Sequence, residues 1–144
     1  MSSKEKLLIV CHFLGFFLLW CQVNAASVLE NNEWRLMTPK SPVGSSDLGG
    51  HLASFFLDVK NHRVHGNSGC NSFVGAYQSS GAYLRFTQVA STRKFCSGRL
   101  GEQETEFLKM LNATERWEIA AGNLVLLSGR GQVLGQFTLA NVGH

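Results

Sequence analysis

The chain has 144 residues, the length of one domain. Apolar residues make up 44% and charged residues 16%; a charged share below the ~25% of an average soluble chain excludes a disordered tail, which needs low hydrophobicity and high net charge. A formal charge of +3 is too small to mark a nucleic-acid surface, and fifteen glycines against two prolines point to a turn-rich globular domain.

Residues 1–25 read as a secretory signal. Lys4 and Lys6 supply the positive start, Leu7 to Trp20 is a nearly unbroken apolar run, and Val23-Asn24-Ala25 places cleavage before Ala26. A membrane span needs about 20 apolar residues. This run is shorter, contains His12 and ends in polar Gln22 and Asn24. Cys21 sits where a lipoprotein is acylated, but the residue before it should be small, and Trp20 is the largest side chain available. The expected product is residues 26–144, released to the periplasm or secreted, with no stable span. An envelope lipoprotein is the alternative.

Cleavage removes Lys4, Lys6 and Glu5 and lowers the net charge from +3 to +2. It also removes Cys11 and Cys21, leaving Cys70 and Cys96. In an oxidising compartment that pair is expected to form a disulfide, which stabilises a loop of this size by ~3 kcal/mol in the chain-entropy model. The sequence has no C-x-x-C for redox catalysis, and two isolated cysteines without a nearby histidine pair make a poor zinc site.

Along the mature chain, Trp34–Met37 is an opening strand, followed by a loop rich in Pro, Gly and Ser over Lys40–Gly50. His51–Val59 is a strand with Phe55, Leu57 and Val59 at period two. After a turn at Asn61-His62, Arg63-Val64-His65 starts the return, and Gly66–Gly69 breaks it. Ser72–Tyr77 resumes as strand, Gln78–Gly81 turns, and Tyr83–Phe86 follows with Leu84 and Phe86 on one face.

The period then changes. Leu100, Phe107, Leu108 and Leu111 form a helical stripe, and Glu102, Glu104 and Glu106 read as a solvated face near its positive end. Trp117–Ile119 alternates, Gly122-Asn123 turns, and Leu124–Leu127 is a buried strand. Ser128–Gly131 turns again before a closing strand with Val133, Gly135, Phe137 and Leu139 on one face. The expected fold is α+β and mainly antiparallel β, a strongly curved or barrel-like sheet with one covering helix.

Two stretches in the middle carry a resemblance. Gly69-Cys70-Asn71-Ser72-Phe73-Val74-Gly75-Ala76-Tyr77 and Ala90-Ser91-Thr92-Arg93-Lys94-Phe95-Cys96, with Trp34 before them and the helix and hairpins after, resemble the signature pattern of the META domain, or HslJ-like, family. The motif positions are Trp34, Gly69, Asn71, Gly75, Thr92 and Arg93. Lys94-Phe95 departs from the pattern, which commonly has apolar or small residues there. The resemblance spans nearly all of residues 26–144. It implies a small β domain with one helix, a disulfide, envelope or export association, and a link to stress and heat shock, with no agreed reaction.

The motif residues also have local readings. Asn71 suits a glycine-rich turn where a left-handed backbone and local capping are needed. Gly69 and Gly75 suit positive φ or a bulge. Arg93 either pairs with a carboxylate inside the domain or binds an external anion; the cost of burying an unpartnered arginine favours the first.

His62 and His65 lie on opposite faces of a strand and do not make a metal site. Gly129-Arg130-Gly131 does not match a dinucleotide loop. Asn112-Ala113-Thr114 is a glycosylation sequon, meaningful in a eukaryotic source. No nucleophile elbow or placed Ser, His and Asp set is present. No catalytic residue, cofactor, metal or nucleic acid is therefore expected. The expected function is binding of a peptide, a partner protein or a small apolar ligand, at a sheet edge or in an apolar cleft. The alternative is a pilot-like assembly factor contacting another envelope protein through the helix or the Arg93 surface.

Overall fold

The computed structural model describes residues 26–37 and 52–140. The expected signal over residues 1–25, with Cys21, lies outside the described residues. A short helical turn, α1 (Ala26–Leu29), leads into eight strands: β1 (Glu33–Leu36), β2 (Ser54–Asp58), β3 (Arg63–Asn67), β4 (Ser72–Ser80), β5 (Tyr83–Ser91), β6 (Arg116–Ala120), β7 (Asn123–Leu127) and β8 (Val133–Leu139). One long helix, α2 (Gly98–Ala113), separates β5 from β6. Each strand pairs antiparallel with the next, and β8 returns to β1. The mainly antiparallel, strongly curved sheet with one helix is thus present as a closed but irregular ring.

The ring closes because alternate residues of each strand face one interior. Phe55 and Leu57 of β2, Phe73 and Tyr77 of β4, Leu84 and Phe86 of β5, Leu124 and Leu126 of β7 and Phe137 of β8 are all buried. Phe55 packs edge-on against Phe86 and Phe137 at centroid distances of 5.7 and 5.0 Å. From α2, Phe107 continues the cluster, 5.5 Å from Phe73 and 6.3 Å from Phe137. With Trp34, Leu111 and Trp117, these side chains fill the ring.

Several boundaries differ from the periodicity. Of the expected strand His51–Val59, His51 lies outside the described residues, Leu52 and Ala53 precede β2, and Val59 follows its end and is exposed. Gly66 does not break the chain. It lies inside β3, opposite Phe55 and Phe73, where its missing side chain permits the approach. A Cβ there would collide with the Ser54 carbonyl oxygen and lie 2.8 Å from the Phe55 Cα.

Further on, β4 continues through Gln78 to Ser80, and β5 runs five residues past Phe86. Of the closing stripe, Phe137 is buried, while Val133 and Leu139, at the two ends of the strand, are exposed. The β6–β7 turn sits at Ala121-Gly122, with φ of 50° and 79°, one residue earlier than expected. Positive φ at both central residues gives the turn the twist a two-residue hairpin requires.

The seam between β5 and β6 is the irregular part of the ring. Tyr83↔Arg116 is its one residue pair in register, reinforced by Leu84 N–H to the Glu115 carbonyl at 3.1 Å and Trp117 N–H to the Ala82 carbonyl at 3.0 Å. Beyond Leu84 no described strand pairs with that edge, and α2 packs against β5 instead. A helix laid over an open edge shields its backbone groups from other chains.

Candidate functional site

Four of the family-motif residues, Gly69, Asn71, Thr92 and Arg93, converge where β3 turns into β4, β5 ends and α2 begins. Gly69 takes φ of 103°, a left-handed conformation that suits glycine, and its N–H donates to the Asn67 side-chain oxygen at 2.7 Å. Ser68 and Asn71 then close a buried turn: the Ser68 N–H and hydroxyl both donate to the Asn71 carbonyl, at 2.8 and 2.9 Å. This turn aims the Asn71 side chain across to β5 and α2.

Asn71 is 2% exposed, and its amide is fully engaged. Its Oδ1 accepts from the Thr92 hydroxyl at 2.7 Å and the Lys94 N–H at 2.8 Å. Its Nδ2 donates to the Lys94 carbonyl at 3.1 Å and to Glu104 Oε2 at 2.9 Å. Asn71 therefore joins three segments far apart in sequence. Asn71 does not take the left-handed backbone expected of it, since the positive φ of this turn belongs to Gly69, and its side chain reaches beyond the turn, bonding mostly to Thr92, Lys94 and Glu104. Glu104 is correspondingly not part of a solvated face, although Glu102 and Glu106 are exposed.

Cys70 and Cys96 form a disulfide with Cα atoms 6.2 Å apart, beside the amide network. Gly75 faces a bulge: the β4–β5 register skips between Val74 and Ala76, and the positive φ, 53°, belongs to Gln88 rather than to Gly75. A Cβ on Gly75 would sit 3.1 Å from the Thr87 carbonyl oxygen and from Val64. Trp34 belongs to the other end of the core. It is fully buried, and its indole N–H donates to the Leu29 carbonyl at 2.9 Å.

Arg93 makes no carboxylate pair among the described residues and is exposed, as is Lys94. Beside them Phe95 is 93% exposed, a value that no other large apolar residue of the described chain approaches. The loop is nevertheless held on both sides of Phe95, by Asn71 at Lys94 and by the disulfide at Cys96. The departure from the family pattern at Lys94-Phe95 thus falls on the loop's exposed tip.

A second polar cluster lies under α1. The buried Glu30 carboxylate accepts from the Tyr77 hydroxyl at 2.7 Å and the Ser79 hydroxyl at 3.1 Å. Burial, then the hydrogen bond and negative charge of Glu30, push the Tyr77 hydroxyl well above the ordinary tyrosine range. Periodicity missed Glu30 because it precedes the first strand. His62 packs against Tyr77 and His65 against Phe56, at ring distances of 5.9 and 5.2 Å, so the two histidines serve different surfaces. Asn112 is exposed at the end of α2, whereas Thr114 of the sequon is buried and its hydroxyl donates to the Met110 carbonyl at 2.9 Å.

The family model of the META domain matches residues 27–141. The chain belongs to the META domain family. Its fold is similar to that of a protein from Burkholderia xenovorans solved by NMR, with a TM-score of 0.64 and 23% identity over 81% of this chain and 87% of that one. It is also similar to a DUF4847 family protein from Bacteroides vulgatus solved by crystallography, with a TM-score of 0.59 and 15% identity over 78% of this chain and 94% of that one. At these identities the likeness speaks to the META fold alone. No curated protein shows significant sequence similarity to the chain.

Proposed function

We propose that this META domain is an exported, non-enzymatic binding domain of the cell envelope, associated with stress physiology, and that it engages its partner through the loop between β5 and α2. The observation that carries this reading is Phe95: a phenylalanine 93% exposed on a backbone held at Lys94 and Cys96. A large apolar side chain this exposed on a fixed loop can meet another surface without the ordering cost of a mobile one. The filled ring favours an exterior site over an apolar ligand inside it, and α2 against β5 disfavours peptide addition at that edge. Engagement of all the Asn71 amide groups within the domain favours a structural role for it over a catalytic one.

Two measurements test this. The non-reduced intact mass of protein recovered from its host should match Ala26–His144 less two hydrogens. A full-length, reduced mass would overturn the exported reading. A photo-crosslinking amino acid at position 95, activated in the host, should capture a partner, while the same group at Glu118 should not. Capture of nothing at position 95 would overturn the binding surface.

A further inference from the structure

We infer that the partner of this loop is an anionic lipid surface, which Phe95 enters while Arg93 and Lys94 bind phosphates. The inference rests on the proposal that the β5–α2 loop is the binding surface, and it names the partner's chemistry.

Three observations carry it. The segment Thr92–Arg99 contains Arg93, Lys94 and Arg99 and no acidic residue, in a chain whose formal net charge is only +3. Arg93 and Lys94 directly precede Phe95, and both are exposed. Apart from Phe95 and the disulfide, the segment holds only Thr92, Ser97, Gly98 and these cations, so Phe95 has no second large apolar side chain beside it in the segment, and it is 93% exposed.

That composition separates two kinds of partner. An aromatic anchor in a protein interface sits inside a ring of contacts that exclude water, and lysine is depleted there while arginine is enriched, so Lys94 and the lack of a second apolar side chain in the segment are what set this loop apart. One aromatic flanked by cations suits the headgroup layer instead, where the ring reaches the acyl boundary and the cations remain among phosphates.

The rigidity of the loop adds to this. Lys94 is tied through both backbone groups to Asn71, and Cys96 is tied to Cys70. Phe95 is therefore presented without the ordering cost that a mobile loop meets on binding. Glu102 and Glu106 line the shallow groove beside Cys96 and oppose the attraction, which makes the binding weak, reversible and sensitive to salt. Each cation near an anionic leaflet contributes about fivefold in affinity, so Arg93 and Lys94 together supply about 25-fold.

The test is co-sedimentation of the exported product, Ala26–His144, with phosphatidylcholine vesicles, with and without phosphatidylglycerol. Binding should require phosphatidylglycerol and fall as salt rises. Arg93→Glu with Lys94→Glu should weaken it by about 25-fold or more, and Phe95→Ser by several-fold, with melting temperatures unchanged because these side chains make no internal bonds among the described residues. In Phe95→Trp, emission should shift to the blue on adding anionic vesicles. Retention that ignores both sets of substitutions would overturn the inference. Crosslinking from position 95 to protein rather than lipid would overturn it while leaving the binding surface intact. Crosslinking to neither would overturn both.

Discussion

Asn71 and Glu104 stand 33 positions apart and share a 2.9 Å hydrogen bond that ties the turn before β4 to the middle of α2. The same amide holds Thr92 and Lys94, so one buried side chain sets where the helix and the Phe95 loop sit on the ring. Asn71→Ala is expected to cost about 2 kcal/mol or more by leaving several polar groups without a partner. Asn71→Asp should also destabilise the fold, because a second carboxylate then faces Glu104. Its deficit should shrink as pH falls and the pair takes up a proton. Chemical denaturation at neutral and acid pH measures both effects.

The disulfide closes a loop between positions 26 apart. Cys70→Ser and Cys96→Ser should each lower stability by about 3 kcal/mol, of order 10 °C in melting temperature for a domain of this size. The double variant should melt with the single ones, since all three lose the same loop closure. Unequal losses would show that one cysteine contributes through packing rather than through the crosslink.

Tyr77 links the core to Glu30 and gives stability an alkaline limit. The folded state holds the hydroxyl proton above the ordinary value near 10, at which the unfolded chain releases it. Above that pH the unfolded chain binds fewer protons than the folded one, so this contribution to stability is complete below about pH 10 and declines as pH rises further. Tyr77→Phe should flatten the decline and cost about 1–3 kcal/mol at neutral pH, because Glu30 keeps only the Ser79 hydroxyl. Melting curves of the parent and of Tyr77→Phe across the alkaline range check this.

Gly66 and Gly122 should respond differently to alanine. At Gly66 a Cβ meets the neighbouring strand's backbone, which cannot move without opening β2 from β3, so Gly66→Ala should cost about 3 kcal/mol. At Gly122 the space is open and only φ of 79° is unfavourable for alanine, a cost of about 1–2 kcal/mol. Equilibrium unfolding of both variants checks the order.

Sequence alone determined the family, the cysteine pair, the α2 stripe with Phe107 and Leu111, and the alternation of Phe55, Leu57, Leu84 and Phe86. These are local regularities: side-chain period follows backbone geometry, and a strand or helix with one apolar face reports that face wherever it packs. The expectation of a signal at residues 1–25 is local too, and the intact mass decides it.

Tertiary structure alone decided the ring closure between β1 and β8, the inclusion of Gly66 in a strand, and the reach of Asn71 to Glu104. It likewise placed Glu30 under Tyr77 and left Phe95 and Arg93 outside. Each depends on which distant segment arrives beside a residue. A periodic pattern reports that a side chain is apolar or polar, but its burial and partners are set by packing of the whole domain. Phe95 shows the difference most directly: its residue type predicts a core position, and the Asn71 network and disulfide hold its backbone where no core is within reach.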